Sequence, residues 1–371
     1  MIPLTGLSVL LTVSLLATVA LTPFVVLLLR KYGFWNAKDN MHENPVPRGG
    51  GIAIATAFTC VGILDGFIGT KSSYQEFYSI APSFLILLVT GLIDDRFGLR
   101  PKPKLLLQSI AVAILWLMGD RIDLFMGWKL PDLFSFILTW IWGIAILNAF
   151  NLIDGLDGLC SGNALIASAA LGIMAIMMEN YAVQFFVVQL IGCCIGFLFF
   201  NFHPAKLFLG DTGSLLLGFL CLVLSLRVVD GNFNLHSTVA LLLVFWIPFC
   251  DEGLAVWRRK VKSLLKRSGG EITERDLKHL HYRLLQVTRR HAVTVLIIWG
   301  GMILIDVCAI TVFRLRVPWF TLMVFCFLSI LSLMLFARYE LRYSYCLFRR
   351  LFPQKNSPKR RRVLFSGRQE P

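Results

Sequence analysis

The sequence predicts an all-α membrane protein that crosses a bilayer many times, and three observations predict it. Hydrophobic residues make up 57% of the chain and charged residues only 16%, against about 25% charged in soluble domains. Apolar runs long enough for a hydrocarbon core of about 30 Å recur along the 371 residues. Lys and Arg crowd into alternate connecting segments, as cytoplasmic loops do.

Eleven spans are expected, at roughly 4–29, 51–69, 77–93, 105–118, 133–148, 159–178, 182–201, 213–229, 237–256, 292–313 and 317–337. With the N-terminus outside, segments 30–50, 94–104, 202–212, 257–291 and 338–371 face the cytoplasm. They hold 30 of the 36 Lys and Arg, which predicts an N-out, C-in protein. The first span has no basic residue ahead of it and reads as an uncleaved helix rather than a signal peptide. Residues 1–337 are expected to form one transmembrane catalytic domain, including loop 257–291, followed by a basic cytoplasmic tail at 338–371. In that loop Trp257, Val261, Leu264 and Leu265 share a face amid basic residues, the pattern of a helix lying in the interface.

The formal charge of +14 would suggest nucleic acid in a soluble protein. Here basic loops beside anionic headgroups account for it, and nucleic acid is not an expected partner. The nine cysteines lie mostly in apolar runs, without a CxxC pair, and read as small buried hydrophobes.

Charged residues beside membrane helices are costly to keep, so they mark function. Four clusters qualify, all on the expected cytoplasmic side. The first is Asp94 and Asp95, followed by Arg96, Arg100, Lys102 and Lys104, which suits an anionic substrate and a metal. The second is NAFNLIDGLDGL, where Asn148, Asn151, Asp154 and Asp157 recur every three residues around flexible glycines. In the third, FLGDTGS, Asp211 sits where a helix restarts. Free N–H groups there suit phosphate, although Asp211, Thr212 or Ser214 could equally cap the helix. In the fourth, DLKHLHYRLL, His279, His281, Lys278 and Arg283 form a cationic, titratable patch better matched to phosphate than to metal. Carboxylate oxygens argue for Mg²⁺ or Mn²⁺, and basic residues for phosphates. The residues therefore point to metal-dependent phosphoryl transfer involving a lipid at the cytoplasmic face. A transporter is the competing class, but it would place its acids near the midplane.

These motifs, with PRGGG at 47–51, resemble the polyprenyl-phosphate N-acetylhexosamine-1-phosphate transferase superfamily, over about residues 30 to 285. The bacterial undecaprenyl-phosphate N-acetylglucosamine-1-phosphate transferase branch is the most similar. The resemblance implies transfer of a sugar 1-phosphate from a UDP-N-acetylhexosamine to undecaprenyl phosphate, release of UMP, a need for Mg²⁺, and a bacterial inner-membrane location. A homodimer is the family expectation. It further implies Asp211 as the metal ligand, with Asp94 and Asp95 at the reacting phosphates and Asp95 as base or positioning group. Asn148, Asn151, Asp154 and Asp157 would line the nucleotide site, Asp157 toward uracil, with Asn201 and Phe208 as nucleotide contacts. His279 and His281 match the family's histidine motif, while Arg48 and Lys104 are expected to clamp phosphate and Arg283 to bind substrate. Tyr282 stands where many relatives carry a further histidine. The muramoyl-pentapeptide branch carries three consecutive histidines, so a peptidoglycan precursor is disfavoured as substrate.

Overall fold

The computed structural model describes residues 4–34, 46–68, 71–266 and 279–332. The tail 338–371 and residues 267–278 of loop 257–291, Lys278 among them, fall outside them. Within them the chain is helical apart from three two-residue strands. The helices are α1 (Leu4–Lys31), α2 (Gly51–Ile68), α3 (Lys71–Phe97), α4 (Pro101–Leu117), α5 (Asp132–Ile153), α6 (Leu159–Met177) and α7 (Tyr181–Asn201). Then come α8 (Gly210–Val228), α9 (Leu235–Val244), α10 (Trp246–Lys266), α11 (Leu280–Thr288), α12 (His291–Leu315) and α13 (Pro318–Ser332).

Each of the eleven expected spans falls on a helix. Seven helices are long and apolar enough to cross a membrane alone, and α9 with α10 makes an eighth as a bent pair. The other three expected spans, α2, α4 and α13, fall short of that length or apolarity.

α8 is the axis of the bundle. It packs against α2, α3, α5, α6 and α7, and nearly every residue from Gly210 to Val228 is buried. Its sequence is apolar all round, which is what a helix enclosed on every side requires. α1 lies against α7 where Gly192 and Gly196 let the backbones approach: a Cβ on either would meet a carbonyl oxygen of α1 at 2.7 Å. Ser14, Thr18 and Thr22 on the same helix donate to the carbonyls four residues earlier at 2.8, 2.9 and 2.6 Å. Such back-bonding lets hydroxyls sit where no water is available.

The two ends of α8 differ. At its C-terminus Arg227 donates to both oxygens of Asp120 at 2.7 Å and to the Ser79 hydroxyl at 2.8 Å. A small sheet was not foreseen: β1 (Leu124–Phe125) pairs antiparallel with β2 (Trp128–Lys129) and parallel with β3 (Asn232–Phe233). At the N-terminus of α8 sits Asp211.

The expected single span 237–256 is broken. α9 and α10 meet at Phe245 with a bend of 75°. Pro248 explains the position, because it has no N–H for the carbonyl four residues back and its ring crowds that carbonyl. α10 then runs on to Lys266 as one helix, so Trp257 belongs to a continuing helix rather than a separate interfacial one. Trp257 is exposed but Arg258 beside it is buried, at 1% exposure, so the basic residues here do not all face outward.

Candidate active site

The site is built where the last turn of α3, the last turn of α5 and the first turn of α8 converge. α8 begins without help from its own chain, since Leu209 before it supplies no capping side chain. Asp95 does that work from α3. Its Oδ1 accepts from Asp211 N at 2.8 Å, and its Oδ2 from Thr212 N at 3.0 Å and Thr212 Oγ1 at 2.6 Å. Arg48 Nε lies 2.9 Å from Oδ1, so both oxygens are fully engaged and the side chain is wholly buried. Neither Asp211, Thr212 nor Ser214 caps α8 with its own side chain, as the sequence had allowed; the cap comes from another helix. Gly210 is obligatory here: its φ is +74°, and a Cβ would come within 2.6 Å of Asp95 Oδ2.

Asp94 turns the other way. Oδ1 accepts from Leu99 N at 2.6 Å, closing the turn into α4, and Oδ2 pairs with Lys104 Nζ at 2.7 Å. Lys104 is a hub, reaching Asp211 Oδ1 at 3.2 Å and Asn151 Oδ1 at 3.0 Å as well. Arg48 Nη2 holds Asp211 Oδ2 at 3.1 Å. Asn151 donates to Asp211 Oδ1 and, at 3.0 Å, to Ser214 Oγ. Thus Arg48, Asp94, Asp95, Lys104, Asn151 and Asp211 form one network, and the acids stand at helix ends rather than in loops.

Asp154 stands open at the C-cap of α5, half-buried and without a hydrogen bond among the described residues. Burial, opposed by Arg48 and reinforced by Asp211, Asp95 and Asp157, pushes its carboxyl up to about 8. Asn148, one turn earlier, is likewise without a hydrogen bond among the described residues. Around Asp211, four carboxylates (Asp94, Asp95, Asp154 and Asp211) face two cations, Arg48 and Lys104. With Asp154 holding its proton at neutral pH, the other three carboxylates still carry one negative charge in excess of the two cations, and the cluster offers oxygen donors only, which fits a hard divalent cation such as Mg²⁺ on Asp211.

Three further expected residues are tied into the surrounding backbone. Asp157 Oδ2 accepts from Ala205 N at 3.1 Å and from His203 Nδ1 at 2.9 Å. Asn201 is a staple: its Oδ1 accepts from Gly158 N and Ser161 Oγ at 3.1 and 2.8 Å, and its Nδ2 donates to Leu207 O at 3.0 Å. Phe208 ties segment 47–50 down, its N–H donating to Pro47 O and its carbonyl accepting from Gly50 N.

The histidines differ from expectation. His279 and His281 are buried, at 8% and 2% exposure, not a solvated cationic patch. Burial lowers the His281 imidazole from its ordinary value, with His279 and Arg258 adding and Asp251 opposing. Arg283 lies away from Asp211, on an apolar groove of about 370 Å³ between α10, α11, α12 and α13. Sequence reasoning missed His203, and it missed Asp251, which bonds His279 at 3.0 Å and lies 3.6 Å from His281 Nδ1; an acid inside an apolar run was the available signal. Asp157, His203 and His291 also gather their donor atoms within 4.8 Å. The two imidazoles stack at 4.3 Å with planes 11° apart, so their lone pairs run parallel instead of converging, and we assign no metal there.

The sequence profile of glycosyl transferase family 4 matches residues 77–229, which hold Asp94 to Asp211. A Bacillus subtilis protein named "probable undecaprenyl-phosphate N-acetylglucosaminyl 1-phosphate transferase" is 33% identical over 77% of this chain and 79% of its own. A decaprenyl-phosphate N-acetylglucosaminephosphotransferase of Mycolicibacterium smegmatis is 28% identical over 81% of each chain. A phospho-N-acetylmuramoyl-pentapeptide-transferase of Bacillus subtilis is 32% identical over 73% of this chain and 87% of its own. The chain therefore belongs to glycosyl transferase family 4, within the polyprenyl-phosphate N-acetylhexosamine-1-phosphate transferase superfamily.

Proposed function

We propose that this protein transfers N-acetylglucosamine 1-phosphate from UDP-N-acetylglucosamine to undecaprenyl phosphate, releasing UMP and starting a lipid-linked envelope glycan. It does so as an eleven-span, N-out protein of the bacterial cytoplasmic membrane, with the site facing the cytoplasm. The observation that carries the reading is the charge-unbalanced oxygen cluster around Asp211 at the end of the most buried helix.

Asp211 would hold a Mg²⁺ ion, which would supply charge neutralisation for the pyrophosphate of the donor. The acceptor phosphate oxygen attacks the β-phosphorus, and the bond from that phosphorus to the UMP oxygen breaks. The sugar C1–O bond is untouched, so the anomeric configuration is kept. A phosphate monoester has a second pKa of about 6, so the acceptor is mostly dianionic at neutral pH and needs no strong base. This agrees with Asp95, whose oxygens are already occupied by four donors, as a positioning group. Arg48 and Lys104 are the phosphate clamps: each is a cation that holds an oxygen of Asp211 and has further N–H donors for a phosphate. The turn carrying Asp154 and Asp157 receives the nucleotide side. The groove lined by Arg283, Leu280 and Val287 offers an apolar approach for the polyprenyl chain.

The test is UMP release by purified protein given undecaprenyl phosphate, Mg²⁺ and a panel of UDP-sugars. Turnover with UDP-N-acetylglucosamine is expected. Turnover only with UDP-N-acetylmuramoyl-pentapeptide would move the chain to the other branch, and no UMP from any donor would end the enzyme reading.

A further inference from the structure

α11 touches both the broken span and the turn that carries Asp154 and Asp157, and the proposed chemistry uses neither contact. On one side stands Asp251 of α10. Its Oδ1 accepts from Leu280 N at 2.9 Å, and its Oδ2 accepts from His279 Nδ1 at 3.0 Å. His281 Nδ1 lies 3.6 Å from the same oxygen, too far for a hydrogen bond. On the other side, the Tyr282 hydroxyl donates to the Gly155 carbonyl oxygen at 3.0 Å. The His281 ring presses on Gly155 so closely that a Cβ there would overlap Nε2. The rings continue one another: His279 and His281 lie 5.5 Å apart, and His281 and Tyr282 4.4 Å.

These contacts make a buried path from Asp251 through three consecutive rings to the Gly155 peptide. That peptide links Asp154 to Asp157. The segment DGLDG carries two glycines and so has little conformational preference of its own. Its shape has to be imposed from outside, and α11 supplies that constraint.

We propose that Asp251 and Tyr282 are positioning residues: acting through α11, they hold the Gly155 turn in the shape that presents Asp154 and Asp157 to the nucleotide-sugar. The inference rests on the reading of that turn as the nucleotide side, so its test carries a reference variant. Tyr282→Phe, Asp251→Asn, Asp251→Glu and Asp157→Asn are compared with the parent as full-length protein in lipid nanodiscs. KM and kcat are measured for the UDP-N-acetylhexosamine that the parent turns over, and KM for undecaprenyl phosphate. Loss of the hydrogen bond from Tyr282 to Gly155 is expected to raise the donor KM about fivefold. Meanwhile kcat should stay within about twofold, and the lipid KM should not change. Asp251→Asn should raise the donor KM further, with Asp251→Glu recovering part of the loss. A donor KM unchanged in Tyr282→Phe, beside a raised KM in Asp157→Asn, overturns the brace and leaves the nucleotide reading standing. An unchanged KM in Asp157→Asn counts against the nucleotide reading alone. A Tyr282→Phe protein that loses kcat with its donor KM intact also overturns the proposal. If Asp251→Asn does not elute as a folded species, Tyr282→Phe decides the matter.

Discussion

The two ends of α8 hold charge in opposite ways. At Arg227, among the described residues, one guanidinium meets one carboxylate in a fork, with Ser79 taking a further hydrogen, and those two charges balance. About 24 Å away along the helix, at Asp211, four acids share two cations, and Asp154 has no hydrogen bond among the described residues. A bundle that needed only to be stable would balance both ends. The difference separates a structural ion pair from a cluster waiting for a positively charged visitor.

Breaking the unbalanced end should cost activity and little else. Asp211→Asn is expected to lower turnover by about 10³-fold, with the response to added Mg²⁺ lost and the thermal midpoint held. A normal Mg²⁺ titration in that variant would remove Asp211 as the metal ligand. Breaking the balanced end should do the reverse. Arg227→Met leaves Asp120 buried and alone, at a cost of about 3–5 kcal/mol of stability, while kcat per folded molecule stays near the parent's. Thermal unfolding and active-site titration together check this. A large fall in kcat would erase the distinction between the ends.

Asp95 lies between these cases, since it is saturated like Asp120 but sits in the cluster. Asp95→Asn removes the charge that holds two N–H groups and a hydroxyl, at a cost of about 1.5–3 kcal/mol. Turnover is expected to fall about 10- to 100-fold, with donor binding retained by calorimetry. Unchanged turnover would take Asp95 out of the site altogether.

The smallest effect is expected at His281. Its folded-state value is lowered from 6.5, by burial first. The unfolded chain therefore takes up a proton before the folded one as pH drops. The stability contributed by the neutral ring is complete above about 6.5 and is lost as pH falls below it. The thermal midpoint of the parent should decline more steeply below pH 6.5 than that of His281→Gln; parallel slopes would show that the ring does not titrate with unfolding.

Much of this was legible in the sequence, for definite reasons. Long apolar runs have one solution in lipid, so among the described residues ten of the expected spans fall on one helix each and 237–256 falls on a bent pair. The acids were legible because each is expensive beside a bilayer. Their division of labour was not. Asp94 and Asp95 are equivalent as letters, and only the end of α3 decides that one meets Leu99 and Lys104 while the other meets α8. Asn201 was expected as a nucleotide contact through the family resemblance alone, and its ties to Gly158, Ser161 and Leu207 carried no signal in the sequence. Asp251 was hidden beside Glu252 at the end of a long apolar run, and its partners lie 28 to 30 positions further along the chain. The break at Phe245 was visible in Pro248, but apolarity on both sides of it read as one continuous span.

The burial of α8 also sets an order on synthesis. A helix enclosed by α2, α3, α5, α6 and α7 is translated after all five, so the ribosome delivers the centre of the bundle after its walls. Until residue 228 has emerged, the five helices around it lack their shared partner, and Asp95 has none of the α8 amides it later caps. The arrival of that one helix therefore supplies both the centre of the bundle and the last acid of the cluster.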